Sequence, residues 1–495
     1  GTSRRGHLEC MNIRHNALMR NVEIHPTKLG RLASLLSPDR AFQLGQTAER
    51  ARLLFAGHTM WNINATAQGG GVAELLTGLL AYGRGAGVDT RWLVLDADPE
   101  FFSLTKRIHN NIHGVPGDGG PLGSAERRRY EAVLASNLTE LTRQVRPGDV
   151  VLLHDPQTAG LIEGLRGRGA HVIWRSHIGR DESNDYTERG WEFLRPYVEP
   201  ADGFIFSRRK FVPDWLSDRT TQIIPPSIDP FSAKNLDLDD ARVRAVLVRA
   251  GLVANSEPVG DLSFVRRDGT AGLVRKHENL LLDGAPPPPA DARLVVQVSR
   301  WDRLKDMAGV LRGFTDRLPE MPADTHLMLI GPAVEGVSDD PEGAEVLAEC
   351  AEMWQQLPDH ARDRTHLAAL PMDDVDENAH LVNALQRHAY LVVQKSLVEG
   401  FGLTVTEAMW KARPVIASAI GGIQDQITDG QDGLLLDDPT DLDQFAHTLI
   451  QALTDEDLAA QIGAAARARV QDRFLGDRHL SQYGKLLVAL VSADR

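Results

Sequence analysis

The stretch KSLVEGFGLTVTEAMWKARPVIAS, Lys395–Ser418, carries two glutamates eight positions apart, one on each side of Gly400-Phe401-Gly402. The apolar run that leads into it, AYLVVQKS, reads as a buried strand, and TVTEAMWKA is made of helix formers and stops just before Arg413-Pro414. RPVIAS then starts a further strand. Strand, tight turn, helix and strand together are the repeating unit of a parallel α/β sheet. Glu399 therefore falls on the strand-to-helix turn, and Glu407 falls in the first helical turn. Thr404 followed three residues later by Glu407 has the spacing of a capping box, which needs no ligand. Glu407 thus has a local and a functional reading. Glu399 has no such local role: the neighbouring glycines let backbone approach a ligand closely and leave its carboxylate at a helix N-terminus.

The same alternation runs through the chain in two sets. From Arg52, short apolar runs (RLLFAGHTM, TRWLVLDA, DVVLLHDP, HVIWRSH, GFIFS, TQIIPPS) alternate with amphipathic stretches, and a second set follows as RLVVQVSR, THLMLIGP, RTHLAALP, AYLVVQKS, RPVIAS and DGLLLDD. The fold class expected is α/β, with two doubly wound, Rossmann-like domains. Residues 1–51 are read as an N-terminal extension, 52–251 as the first domain, 252–290 as an insertion or linker closing in GAPPPPADA, 291–475 as the second domain and 476–495 as a C-terminal amphipathic helix. The segment VGDLSFVRRDGTAGLVRKHENLLL inside the insertion reads as a hairpin or as a loop.

Composition limits what such a chain does. At 495 residues it is too long for one ordinary core. Fifty-four basic against 68 acidic side chains give a net charge of −14, which argues against a general attraction to nucleic acid or to an anionic membrane. Only two cysteines, Cys10 and Cys350, are present, too few for a disulfide framework or a four-cysteine zinc site. No apolar run approaches the roughly 20 residues that span a bilayer, and no signal-peptide core is visible near the start, so the cytoplasm is the expected location.

In open parallel sheets ligands bind beyond the carboxyl ends of the strands. Those positions are polar here. WNINATA leads to QGGGVAELL, a glycine triplet opening a helix but not a dinucleotide fingerprint. VVLLHDP delivers His154 and Asp155, and VIWRSHIG delivers Arg175 and His177. A buried histidine of this kind also has a bland reading, as a structural hydrogen-bonding group. In the second set VVQVSRWDRLKD delivers Arg300 and Lys305, which either pair with Asp302 and Asp306 at the surface or form a two-pronged diphosphate clamp. Cations and carboxylates on strand ends of one sheet suit a sugar nucleotide. No metal constellation stands out at recognisable spacing, and no GxSxG motif supports serine catalysis.

EGFGLTVTE resembles the E-x7-E motif of retaining glycosyltransferases of family four, which have the GT-B fold of two facing Rossmann-like domains; SRWDRLKD is similar to their Arg/Lys donor clamp and IPPSIDP to their interdomain segment. GGGVAELL, EFFSLTKRIHNNIHG, LLHDPQTAGLI, WRSHI and IPPSIDPFSAKN resemble the trehalose-synthase-like branch of that family. The resemblance covers about Arg52 to Leu490; the segment 252–290 is longer than in compact members and the residues before Arg52 match nothing. It implies a retaining transfer of glucose from a nucleoside-diphosphate-glucose to a sugar, free glucose giving α,α-trehalose, with a different acceptor, a phosphorylase-like reaction or a non-catalytic sensor as rivals. Catalytic roles then fall to Glu399, Arg300, Lys305 and His177. Donor contacts fall to Gly71, Arg300, Lys305, Glu399, Gly400, Phe401, Gly402, Leu403, Thr404 and Glu407. Acceptor contacts fall to Asn64, Gly70, Lys106, His109, Asn110, His154, Asp155 and Arg175. No cofactor and no metal are implied. The partners are the sugar nucleotide and the sugar acceptor, without nucleic acid or membrane, and with a homodimer as the assembly considered.

Overall fold

The computed structural model describes residues 19–68, 70–216, 220–254, 260–334 and 342–492. Residues 1–18 of the expected extension, Gly69 of the glycine triplet and residues 493–495 of the expected terminal helix lie outside these. Seven strands form the first sheet: Arg20–Val22 (β1), Met60–Asn64 (β2), Thr90–Val94 (β3), Val150–His154 (β4), His171–Ser176 (β5), Gly203–Phe206 (β6) and Thr221–Ile223 (β7). Their order is β1-β3-β2-β4-β5-β6-β7, parallel except for β1, which pairs antiparallel to β3 with Arg20 opposite Val94. After an antiparallel hairpin, Ser263–Val265 (β8) and Ala271–Leu273 (β9), the second sheet contains Arg293–Val298 (β10), Thr325–Pro332 (β11), Thr365–Leu370 (β12), Leu391–Gln394 (β13), Val415–Ser418 (β14) and Leu434–Leu436 (β15). Its order is β12-β11-β10-β13-β14-β15, all parallel.

These orders position the site. Each sheet is doubly wound, and the winding reverses between β2 and β4 in the first and between β10 and β13 in the second. A crevice opens at such a switch point, outside the carboxyl ends of the strands. The central strands are Val-, Leu- and Ile-rich and, apart from Arg293 at the start of β10, buried, as expected of strands covered by helices on both faces.

Three segments sit differently from the sequence expectation. Residues 19–51 are built into the first domain: β1 extends its sheet, and the helix Pro38–Leu54, whose N-cap Ser37 accepts from Arg40 N–H, packs against the helix Gly476–Ser492. That C-terminal helix returns to the first domain, where Tyr483, Leu486 and Leu487 pack with Phe55, Val150, Leu152, Ile173 and Ile205. The crossing into the second domain comes before residue 252. The helix Asp240–Ala250 already packs on the helix Val375–His388, and Val243, Val246 and Leu247 share a core with Leu294, Val296 and Met328. The 252–290 segment carries the β8–β9 hairpin, held to the acidic start of the Val375 helix by Arg266–Asp374 at 2.7 Å and Arg267–Asp376 at 3.0 Å. Among the described residues no helix is long and apolar enough to cross a membrane.

Candidate active site

A cleft of about 960 Å³ lies between the two sheets and is lined from both. On the second-domain side, the β13-to-helix turn is shaped by two glycines. A side chain at Gly400 would meet the carbonyl oxygen of His177, in the other domain, at 2.5 Å, so close approach of the two backbones requires glycine there. Gly402 has φ 82°, in the left-handed region, and stands as N-cap of the helix Leu403–Trp410. That geometry settles the first ambiguity of the sequence. The Thr404 hydroxyl donates to Gln394 Oε1 at 2.9 Å instead of capping, and Glu407 lies beyond the first turn, so no capping box forms.

Glu407 is buried at 2 % exposure. Lys234 Nζ lies 3.1 Å from its Oε2, near enough to attract but off the alignment of a hydrogen bond, so that this buried oxygen has no hydrogen-bond partner. Burial pushes the Glu407 carboxyl up to about 7, against the pull of Lys234. Glu399 Oε2 accepts from Lys305 Nζ at 2.5 Å and from Ser396 Oγ at 3.1 Å. Lys305 ends the short 3-10 turn Arg303–Lys305 after β10, and Arg300 lines the cleft just before it. The expected surface pairs are not formed by Lys305: Asp306 binds the buried Lys395, and Asp302 binds Lys106 of the first domain at 3.0 Å. Burial works to raise the Asp302 carboxyl, but Lys106, Arg300 and Lys305 hold it well below the usual carboxylate range.

Opposite stands a polar cluster from the first domain. Asp155, at the end of β4, has φ 63°, a conformation rare for residues other than glycine, asparagine and aspartate. Its Oδ1 accepts the His177 backbone N–H at 2.7 Å and its carbonyl accepts Trp174 Nε1 at 3.1 Å, which together hold the strained turn. Burial pushes the Asp155 carboxyl up to about 7. His154 Nδ1 lies 3.0 Å from His177 Nε2, and His154 Nε2 lies 3.1 Å from Asn62 Oδ1. With the Asn62 oxygen so placed, His154 donates through Nε2 and accepts at Nδ1, His177 donates through Nε2, and His177 Nδ1 is left as the acceptor of the pair. Burial lowers His154 to about 3 and carries His177 well below its ordinary value, so both rings are neutral at pH 7.

Most of the residues singled out in the sequence meet at this cleft. Gly70, Gly71, Lys106, His109, His154, Asp155 and His177 face Arg300, Lys305, Glu399–Thr404 and Glu407. Gly70 is the extended N-cap of the helix Gly71–Gly85, and a side chain at Gly71 would press on Leu403 at 3.2 Å. Asn64 lines the wall, but its amide already donates to Thr66 O at 2.6 Å and accepts from Trp92 Nε1 at 2.8 Å. Two expectations fail. Arg175 points to the opposite face of β5, fully buried, where it donates to His479 Nε2 at 2.8 Å, to Tyr483 Oη and to Ile224 O at 3.1 Å; it pins the C-terminal helix and does not reach the cleft. Asn110 is also turned away, because on the helix Pro99–Ile112 the cleft-facing stripe is Phe102, Lys106 and His109, continued by His113. His113 Nδ1–H donates to Gly179 O at 3.0 Å, which fixes its tautomer, and it is a cleft residue that the sequence reading missed, although it stands four places after His109. Lys234 and Glu74 were missed as well, since their pairing joins residues 160 positions apart.

Residues 62–213 match the family model described as trehalose synthase, N-terminal domain, and residues 285–469 match glycosyl transferases group 1. Fold and match together define a GT-B glycosyltransferase. The chain is 33% identical over 433 residues to trehalose synthase of Thermococcus litoralis, covering 86% of this chain and 89% of that protein. It therefore belongs to the trehalose synthase family. It is also 28% identical to trehalose phosphorylase of Pleurotus pulmonarius, over 83% of this chain and 54% of that protein. Among solved structures, α,α-trehalose 6-phosphate synthase of Burkholderia multivorans shares the fold with a TM-score of 0.62, at 17% identity over 88% of this chain and 98% of that one.

Proposed function

We propose that this glycosyltransferase moves glucose from a nucleoside-diphosphate-glucose to a sugar acceptor with retention at the anomeric carbon, and that free glucose as acceptor gives α,α-trehalose. The observation that carries the reading is the Lys305–Glu399 pair with Arg300 beside it, facing His177 and Asp155 across the cleft. Cleaving a glycosyl phosphate bond builds negative charge on the departing diphosphate and positive charge on the sugar. Arg300 and Lys305 would stabilise the first, and Glu399 would grip the sugar's hydroxyls as the second develops. Glu407, with a buried oxygen that lacks a hydrogen bond, would accept from the ribose hydroxyls. Asp155 would orient the incoming sugar, and the acceptor nitrogen of His177 would face the transferred glucose near its exocyclic hydroxyl. The acceptor hydroxyl attacks the same face from which the diphosphate leaves and gives its proton to the leaving phosphate; in this scheme Glu399 is no covalent nucleophile.

The product tests the reading. An activated α-glucose donor with free glucose should give a non-reducing disaccharide and nucleoside diphosphate, and NMR of the product should show two α-linked anomeric protons. A β signal at the donor-derived carbon overturns retention, whereas an α-linked product obtained only with another sugar keeps the mechanism and removes the trehalose assignment. The similarity to a trehalose phosphorylase supports one rival, phosphorolysis of trehalose without any nucleotide. Release of glucose 1-phosphate from trehalose and inorganic phosphate would favour it.

Transfer is expected to proceed without a metal ion, because two fixed cations stand where the diphosphate would lie. Among the described residues no group of three His, Cys, Asp or Glu side chains converges as a metal site. Activity should survive excess chelator; loss that magnesium or manganese restores would refute this. The partners proposed remain the two small-molecule substrates.

A further inference from the structure

Lys234 reaches Glu407 from the segment that crosses between the domains, and it does not serve Glu407 alone. Its ammonium also binds both carboxylate oxygens of Glu74, at 2.9 and 2.8 Å, on the Gly71 helix of the first domain. The three charges line the cleft. Lys234 is largely covered, with 14 % of its side chain exposed, while Glu74 keeps 44 % and so reaches solvent. On the other side, Lys411 Nζ is fully enclosed among Asn235 Oδ1, Gln386 Oε1 and the Glu407 carbonyl. Burial carries Lys411 well below its ordinary value, and its hydrogen bond to Glu407 goes to the backbone carbonyl and not to the carboxylate. Arg387, on the Val375 helix, acts on Lys411 and binds Asp237 and Asn235. Lys234 is thus the cation in contact with the Glu407 carboxylate, and Glu74 competes for it.

We propose that Lys234 and Glu74 are positioning residues that set, in opposite directions, the charge state of Glu407 and through it the affinity for the nucleotide ribose. This rests on the assignment of Glu407 to the donor. An ionised carboxylate accepts from both ribose hydroxyls, whereas its protonated form loses one acceptor site to a donor. Burial favours the protonated form, Lys234 favours the ionised one, and Glu74 both repels Glu407 and draws Lys234 away. Although burial disfavours its charge, Lys234 is held above the ordinary lysine range by Glu407 and Glu74 together, so it stays charged wherever the enzyme is folded at neutral pH.

The test is direct binding of whichever of UDP-, ADP- and GDP-glucose the enzyme holds tightest, measured by calorimetry from pH 5.5 to 9. The phosphates of these donors do not titrate in that range, so the profile reports the protein. Binding by the unaltered enzyme should strengthen as pH rises through about 7. Lys234→Met should move the midpoint up by about one unit or more, weakening binding about tenfold at pH 7 and recovering at pH 9. Glu74→Gln should move it down, so that binding at pH 6 strengthens. Lys234→Arg should restore the original profile. Two losses of the same sign, unaffected by pH, would mean that the pair merely braces the fold and would overturn the proposal. Glu407→Gln separates this from the donor assignment: it should flatten the pH profile and weaken binding throughout. If it instead binds the donor as the unaltered enzyme does, the ribose role of Glu407 is wrong, and the inference falls with it.

Discussion

Lys305→Ala is expected to lower kcat/KM for transfer about a hundredfold or more. The ammonium lies 2.5 Å from Glu399, in a turn that also presents Arg300 to the cleft. A hydrogen bond to a charged group contributes about 1.5–3 kcal/mol, or roughly ten- to a hundredfold. Removing one partner of a fully buried ion pair costs about 3–5 kcal/mol, because the other charge is left unpaired. With side-chain exposures of 20 % and 10 %, this pair stands between the surface and the buried case, nearer the latter. Lys305→Ala thus removes one prong of the clamp and strands the carboxylate that grips the sugar. Glu399→Gln alone should preserve nucleotide binding and depress turnover. The double variant Lys305→Ala/Glu399→Gln should lose less than the sum of the two, since glutamine needs no counter-charge. Steady-state kinetics of the three variants decide it, and an unaltered kcat/KM in Lys305→Ala would remove the clamp from the mechanism.

Asp155→Asn should cut turnover about a hundredfold while raising the melting temperature at pH 8. The folded carboxyl titrates at about 7, above the roughly 3.9 of an unfolded chain. Between those values the folded protein holds a proton that the unfolded chain has released, so Asp155 lowers stability as pH rises through that window and keeps it lowered above pH 7. Asparagine has no proton to lose, tolerates φ 63°, and still accepts the His177 N–H through Oδ1. Its advantage over aspartate should therefore be present at pH 8 and gone near pH 4. The loss of turnover follows from the weaker hold of a neutral amide on the acceptor hydroxyls. Melting curves at the two pH values, beside rates at pH 8, check both halves. A melting shift that is the same at both values would contradict the buried-carboxylate account.

The sequence revealed the parts of this site that follow apolar strands. His154 and Asp155 come directly after Val150–Leu153, and Arg300 and Lys305 come just after Leu294–Val298, because a doubly wound sheet sends each strand's exit to the same edge. Arg175 could not be placed the same way. It sits inside β5 among residues buried on both faces, where the apolar run carries no alternation to say which side a given residue takes. The helix cap was misplaced by two residues, since the left-handed Gly402 acts as N-cap and Thr404 turns to Gln394. The β8–β9 hairpin did have a local signature: Asp268-Gly269 lies at its tip, with Gly269 at φ 85° and Arg266 N–H bonded to Thr270 O. Lys234 and Glu74 had none, because what makes them functional is a contact across the cleft.

The two passages of the chain between the domains lie side by side. Ile228 N–H donates to Phe474 O at 2.9 Å, and Ile228 pairs in parallel with Leu475, so the outgoing and returning segments are tied side by side by a single bridge, a minimal two-stranded ribbon. A single peptide tether would let one domain twist and slide over the other. A bonded ribbon resists both and leaves bending as the soft motion. Opening should then be a rotation about one line near Ile228, with displacement growing with distance from it. Lys106 and Asp302 meet across the cleft without any covalent path between them except this ribbon, so their ion pair acts as the clasp opposite the spine of a book.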